Sequence, residues 1–194
     1  MTGQEVIDAW DQAGPAHIHP SRGVSEEAYW ASGEQAALQL AEVLKPGSRV
    51  VDFGCGDGRV AIPLKRLGFD VTGADASPKM LAHLAENDPD MPQVLSDGSD
   101  LYEQIGHKVD AVVCLAVLIH HPRSSALAIL DGLVKAVRKG GLIVVDWPTS
   151  DNPEEAQIWI DVTTWHPDAQ KAEAEKRGLK RIEPERPWAV FRKT

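Results

Sequence analysis

Cysteine is scarce: Cys55 and Cys114 are the two in 194 residues. They allow no disulfide framework and no cysteine-built metal centre, so a reducing cytoplasm is the expected compartment. Long apolar runs are absent as well. None approaches the ~20 residues of a membrane span, and the first twenty residues lack the apolar segment of a secretory signal. No membrane partner is expected. Basic residues are also in short supply, 20 against 29 acidic ones, for a net charge of −9. That balance argues against an unassisted grip on a phosphate backbone, and so against a nucleic-acid partner. His17-Ile18-His19 offers two metal ligands but no third, so no metal site is expected. Repeats, low-complexity tracts and interdomain linkers are missing. What remains is ordinary for one globular domain, with 43% hydrophobic and 25% charged residues.

The most informative stretch is Val50-Val51-Asp52-Phe53-Gly54-Cys55-Gly56-Asp57-Gly58-Arg59. An apolar strand runs into an acid and then three glycines at alternate positions, the first turn of a nucleotide-binding α/β unit. A dinucleotide would set its pyrophosphate here, and the Asp52 carboxylate would repel it. The dinucleotide fingerprint also wants its third glycine where Arg59 stands. S-adenosylmethionine has no phosphate and carries a sulfonium and an ammonium that an acidic loop accepts. The loop therefore reads as a pocket for S-adenosylmethionine. A nicotinamide-dependent oxidoreductase on the same sheet is disfavoured for the same reasons, and a cofactor-binding subunit without catalysis is the second alternative.

Strands are expected at 49–53, 69–75, 93–95, 109–118 and 142–147, with helices at 25–44, 58–67, 78–84, 125–137 and 168–177. Ser77-Pro78 reads as an N-cap followed by a first-turn proline. The unbroken apolar run at 109–118 suits a central parallel strand buried on both faces. Lys139-Gly140-Gly141 is read as the turn into the fifth strand. Residues 1–24 read as a flexible arm with one helical turn near 6–10, and residues 25–194 as the domain. Residues 148–165 are irregular apart from a short helix at 153–160, and 179–182 with 188–192 form a closing hairpin. The rhythm predicts a doubly wound, mostly parallel α/β sheet with helices on both faces.

In element order and spacing, residues 25–194 resemble the class I S-adenosylmethionine-dependent methyltransferases. The glycine loop resembles that family's first motif, and Val71-Thr72-Gly73-Ala74-Asp75-Ala76-Ser77-Pro78-Lys79-Met80 its second. The resemblance implies a seven-stranded sheet of order 3-2-1-4-5-7-6, the last strand antiparallel between its neighbours. It implies that Asp52, Phe53, Gly54, Cys55, Gly56, Gly58, Asp75, Ala76, Met80, Asp97, Gly98 and Leu115 bind the cofactor. Asp75 would take the ribose hydroxyls, 21 residues after Gly54. Met80 would lie on the adenine and Asp97 would meet its amine.

The strand exit Leu115-Ala116-Val117-Leu118-Ile119-His120-His121-Pro122 resembles the loop beside the reacting methyl. His120 and His121 are the candidate catalytic bases there, and an ordinary imidazole would lose that role below about pH 6–7. Tyr29 and Trp30 on a lid-like helix, and Trp147 in an aromatic cluster with Trp159 and Trp165, are candidate substrate contacts. The amino-methylating Asn/Asp-Pro-Pro-Tyr signature is absent, and no cysteine follows a proline as a cytosine-C5 nucleophile would. A small-molecule acceptor, methylated on O, N, S or C, is expected of a monomer or homodimer.

Overall fold

The computed structural model describes residues 1–13, 24–182 and 188–194. His17, Ile18 and His19 lie outside the described residues. Seven strands form a single sheet of order β3-β2-β1-β4-β5-β7-β6, the order that the resemblance implies. β1 (Arg49–Phe53) pairs in parallel with β2 (Asp70–Asp75) and β4 (Val109–Cys114). β3 (Gln93–Leu95) extends the sheet beyond β2, and β5 (Val137–Val145) beyond β4. β7 (Ala189–Lys193) lies antiparallel between β5 and β6 (Leu179–Arg181).

Strand alternation builds two cores. Val51, Phe53, Val112, Cys114, Ile143 and Val145 enter one, and Val50, Ala111, Val113, Leu142 and Val144 the other. Successive side chains point to opposite faces, so the central strands must be apolar at nearly every position. The first core is closed by α5 (Leu101–Ile105), α6 (Arg123–Ala136) and α7 (Pro167–Lys176). The second is closed by α2 (Glu26–Ala41), α3 (Ala61–Arg66) and α4 (Pro78–Asn87). Ser25 and Ser77 cap α2 and α4, their hydroxyls accepting from the Ala28 and Met80 amides.

Four expectations change. The amino-terminal segment holds an eleven-residue helix, α1 (Gly3–Ala13), whose Val6 is fully buried. The 109–118 run leaves the sheet at Cys114, because Ala116 adopts φ 57° and a 3-10 turn follows at Leu118–His120. Lys139-Gly140-Gly141 lies inside β5: Val109 pairs with Val137 and Ala111 with Leu142, so the extra residues bulge. Residues 153–160 form no helix, and the segment is tied instead by a Thr149–Trp165 bridge. Among the described residues no helix is long and apolar enough to cross a membrane.

Candidate functional site

At the carboxyl ends of the parallel strands lies a cleft of about 600 Å³, open to solvent. It lies where the strand order reverses between β1 and β4, the place at which open α/β sheets hold ligands. The glycine loop forms its floor. Gly54 and Cys55 donate their amides to the Ala74 carbonyl at 2.7 and 3.1 Å, tying the loop to β2. Gly54 has φ +75°, and a Cβ there would collide with Val117. Gly56 has φ +55°, and a Cβ there would meet no protein atom within 4 Å. Gly54 is thus glycine for packing, whereas Gly56 keeps the cleft itself clear.

Asp75 joins the loop to the next turn. Its Oδ2 accepts from the Gly56 amide and its Oδ1 from the Ser77 amide, both at 2.9 Å. Burial raises its carboxyl above the usual range, against the pull of those amides. Phe53, Gly54, Gly56, Asp75, Ala76, Met80 and Asp97 all line the cleft. Asp97 is partly engaged by its own turn, accepting from the Ser99 amide and hydroxyl at 2.9 and 2.7 Å.

The remaining expected cofactor residues do not line the cleft. Cys55 and Leu115 pack into the core beneath the loop, and Gly58 packs on Ile62 and Leu84. Gly98, at φ +94°, gives way to the Phe53 and Ile129 side chains. Asp52 is 3% exposed. Burial pushes its carboxyl up to about 7, with the Asp75 charge adding and Arg59 opposing. A group so raised contributes stability that is fully present below about pH 3.8 and is lost as pH rises through about 7. Thermal melts should therefore show Asp52→Asn gaining stability over the parent between pH 6 and 8, with the difference vanishing near pH 4.

The three candidate substrate residues also stand off the cleft. Tyr29 donates its hydroxyl to Asp57 Oδ1 at 2.6 Å, and Arg59 lies 5.5 Å over its ring. Trp30 packs on the α2 face of the core. Trp147 is corrected to a core residue: it is 6% exposed and meets Trp165 edge-on and Phe191 at a tilt, both at 5.7 Å. Two residues past the end of β5, its side chain joins the core on the α6 side of the sheet, where apolar area is best buried.

The two histidines diverge. His120 has its Nδ1 3.0 Å from the Asp161 carbonyl and its ring 5.6 Å from Trp10. His121 lines the cleft, and its Nδ1 is buried with no hydrogen-bond partner. Burial lowers its pKa to about 4, and neighbouring His120 adds to the effect. A second hollow shares Ile7, Asp97, His121 and Ile129 with the cleft and extends beneath α1 to Gln4 and Ser125. His121 therefore stands where two cavities meet, with an unused nitrogen.

Three cleft residues carry no sequence signature, Ile7, Trp10 and Ile129, and Ala116 and Val117 line it from the strand exit. Trp10 packs edge-on against Trp159 at 4.8 Å, closing α1 over the cleft. Asp11 accepts from the Ser77 hydroxyl at 2.5 Å and fastens the same helix to α4. Ala116 donates its amide to Asp146 Oδ2 at 2.6 Å. Its left-handed backbone is costly for a residue with a Cβ. A non-glycine residue there is invisible to pattern reading, because nothing in the sequence marks the strain.

Residues 27–180 match the family described as methyltransferase domain. A magnesium-protoporphyrin O-methyltransferase of Synechocystis is 41% identical over 104 residues, covering 50% of this chain and 44% of that protein. A ubiquinone biosynthesis O-methyltransferase of Xanthomonas campestris is 32% identical over 107 residues, 53% of this chain and 44% of its own. The chain thus spans under half the length of these relatives. A Synechocystis magnesium protoporphyrin IX methyltransferase crystallised with bound SAH superposes with a TM-score of 0.70 at 19% identity, over 97% of this chain and 96% of that one. With its sheet order, its glycine loop and four-fifths of its length matched, this chain belongs to the methyltransferase-domain family.

Proposed function

We propose that this chain transfers a methyl group from S-adenosylmethionine to an oxygen atom of a small-molecule acceptor. The observation that carries the reading is the cleft itself. It joins Gly56, Asp75, Met80 and Asp97 on one side to the His121 ring on the other. The residues suit the cofactor: Gly56 keeps its Cβ space open, and the surrounding charge is acidic. Asp75 would hold the ribose hydroxyls, Met80 and Ile129 the adenine faces, and Asp97 its amine. When bound, the cofactor supplies a methyl made electrophilic by a sulfonium. This chain's residues align that end with an acceptor and exclude water, with Ile7 and Trp10 as the cover. The His121 ring, which lines the cleft, would receive the acceptor's proton.

Support for an oxygen acceptor comes from the O-methyltransferase relatives. Support for a flat acceptor comes from the Trp10, His120 and Trp159 rings beside the cleft. The net charge of −9 favours a small molecule over a nucleic acid. We place the protein in the cytoplasm, as a monomer or homodimer, with α1 as part of the site. The test is methyl transfer to a panel of planar hydroxyl compounds, read as S-adenosylhomocysteine formed. Calorimetry should also show Asp75→Ala weakening S-adenosylhomocysteine at least tenfold, about 1.4 kcal/mol. It removes the proposed ribose contact and frees the Gly56 and Ser77 amides together. Unchanged affinity would refute the ribose assignment.

A further inference from the structure

Helix α6 carries a buried glycine in its interior, Gly132, one turn beyond the cleft residue Ile129. Glycine is unfavourable inside a helix relative to alanine, so its presence there calls for a reason. The backbone at Gly132 is ordinary, with no positive φ that would demand glycine. What needs the room is the turn Asp97-Gly98-Ser99. A Cβ on Gly132 would overlap the Gly98 carbonyl oxygen and stand 3.0 Å from the Ser99 Cα. The turn therefore rests directly on the helix backbone.

The same turn is pinned from its other sides. A Cβ on Gly98 would lie 2.8 Å from the Phe53 ring and 2.9 Å from Ile129, both of which line the cleft. The Gly98 amide donates to Ser96 Oγ at 3.0 Å, and that hydroxyl donates to Asp100 Oδ1 at 2.6 Å. Ser96 is 2% exposed, so this anchor is sheltered from water. The Ser99 amide and hydroxyl both donate to Asp97 Oδ1, which fixes the carboxylate's rotation. Among the described residues no bond is made to Asp97 Oδ2, the oxygen left for a ligand in the cleft.

We propose that Gly132 and Ser99 are positioning residues for the cofactor's base: they hold Asp97 Oδ2 where it accepts from a purine 6-amino group and rejects a 6-carbonyl. Neither residue lines the cleft. The inference rests on the reading of Asp97 as the partner of the adenine amine. A carboxylate in a loose turn would swing away from a carbonyl oxygen and meet the base with a poorly directed bond. Held at one angle, it makes a straight bond to the amine and faces the carbonyl with repulsion. Selectivity for the base thus comes from how closely α6 lets the turn approach, through a residue that the cofactor never touches.

The experiment is calorimetry on the whole chain with S-adenosylhomocysteine and S-inosylhomocysteine, which differ in the purine 6-substituent, an amine in one and a carbonyl in the other. The parent should favour S-adenosylhomocysteine by about tenfold or more, since the wrong substituent leaves the acid unpaired and repelled. Gly132→Ala pushes the turn off the helix and should narrow that preference about threefold or more, by weakening S-adenosylhomocysteine alone. Ser99→Ala frees the carboxylate without touching the helix and should narrow it in the same direction. Ser99→Thr keeps the hydroxyl and should restore the parent's preference. A variant that merely loosened the fold would weaken both ligands alike, so the ratio is the readout. An unchanged ratio in a folded Gly132→Ala, or equal loss of both ligands, would overturn the positioning role. Should that variant not fold, Ser99→Ala decides by the same criterion. Equal binding of both ligands by the parent would overturn the adenine-amine reading of Asp97, and the inference with it.

Discussion

Gly56→Val is expected to fold and to lose S-adenosylhomocysteine by more than 100-fold. A residue with a Cβ at φ +55° carries strain of about 1–2 kcal/mol, more when branched, which a domain with two full cores withstands. No protein atom lies within 4 Å of the new Cβ, so nothing in the fold is displaced. The branched side chain instead occupies the open cleft and strains the amide that Asp75 holds at 2.9 Å. A hundredfold loss corresponds to about 2.7 kcal/mol. Thermal melts and calorimetry on one preparation make the test. A folded variant that binds normally would remove the glycine loop from the cofactor site. Gly54→Val is the contrast: its Cβ would strike Val117, so it should fail to fold.

The second large effect concerns the histidines. Once an acceptor is found, His121→Asn should lower turnover about 10²-fold, the lower end of what a positioned base contributes. The lower end follows from the environment. Burial holds the ring at a pKa of about 4, so it is a weak base and suits an acceptor with an acidic hydroxyl. The same shift corrects the sequence-based expectation for pH. His121 stays neutral well below pH 6, so its protonation cannot make the rate fall between pH 7 and 6. His120→Asn should cost less than tenfold in turnover and act on stability, because that ring is bound to the Asp161 carbonyl and packed on Trp10. A pH–rate profile on both variants decides. Equal losses, or none, would leave both rings as packing residues and catalysis resting on alignment.

Much of this architecture is carried by local pattern. Arg49–Phe53 and Gln93–Leu95 are strands at the expected bounds, because apolar runs closed by acids and turn residues have few other solutions. Ser77-Pro78 starts its helix as expected, since a hydroxyl cap and a fixed φ act within one turn. The glycine loop, Asp75 and Met80 come to one cleft because the βαβ crossover leaves them no other place. Tertiary structure decided what depends on distant partners. Trp147 went to the core and Trp10 to the cleft, a choice set by which apolar surface remained uncovered after the sheet had formed. His121 kept a buried ring nitrogen without a partner, whereas Asp161, forty residues on, reached His120. Asp52, chosen from sequence as a ligand contact, lies behind the loop, where burial and the charges of Asp75 and Arg59 set its proton affinity. Local propensity acts over a few residues, whereas desolvation and packing are properties of the assembled interior, and no segment of the chain carries them alone.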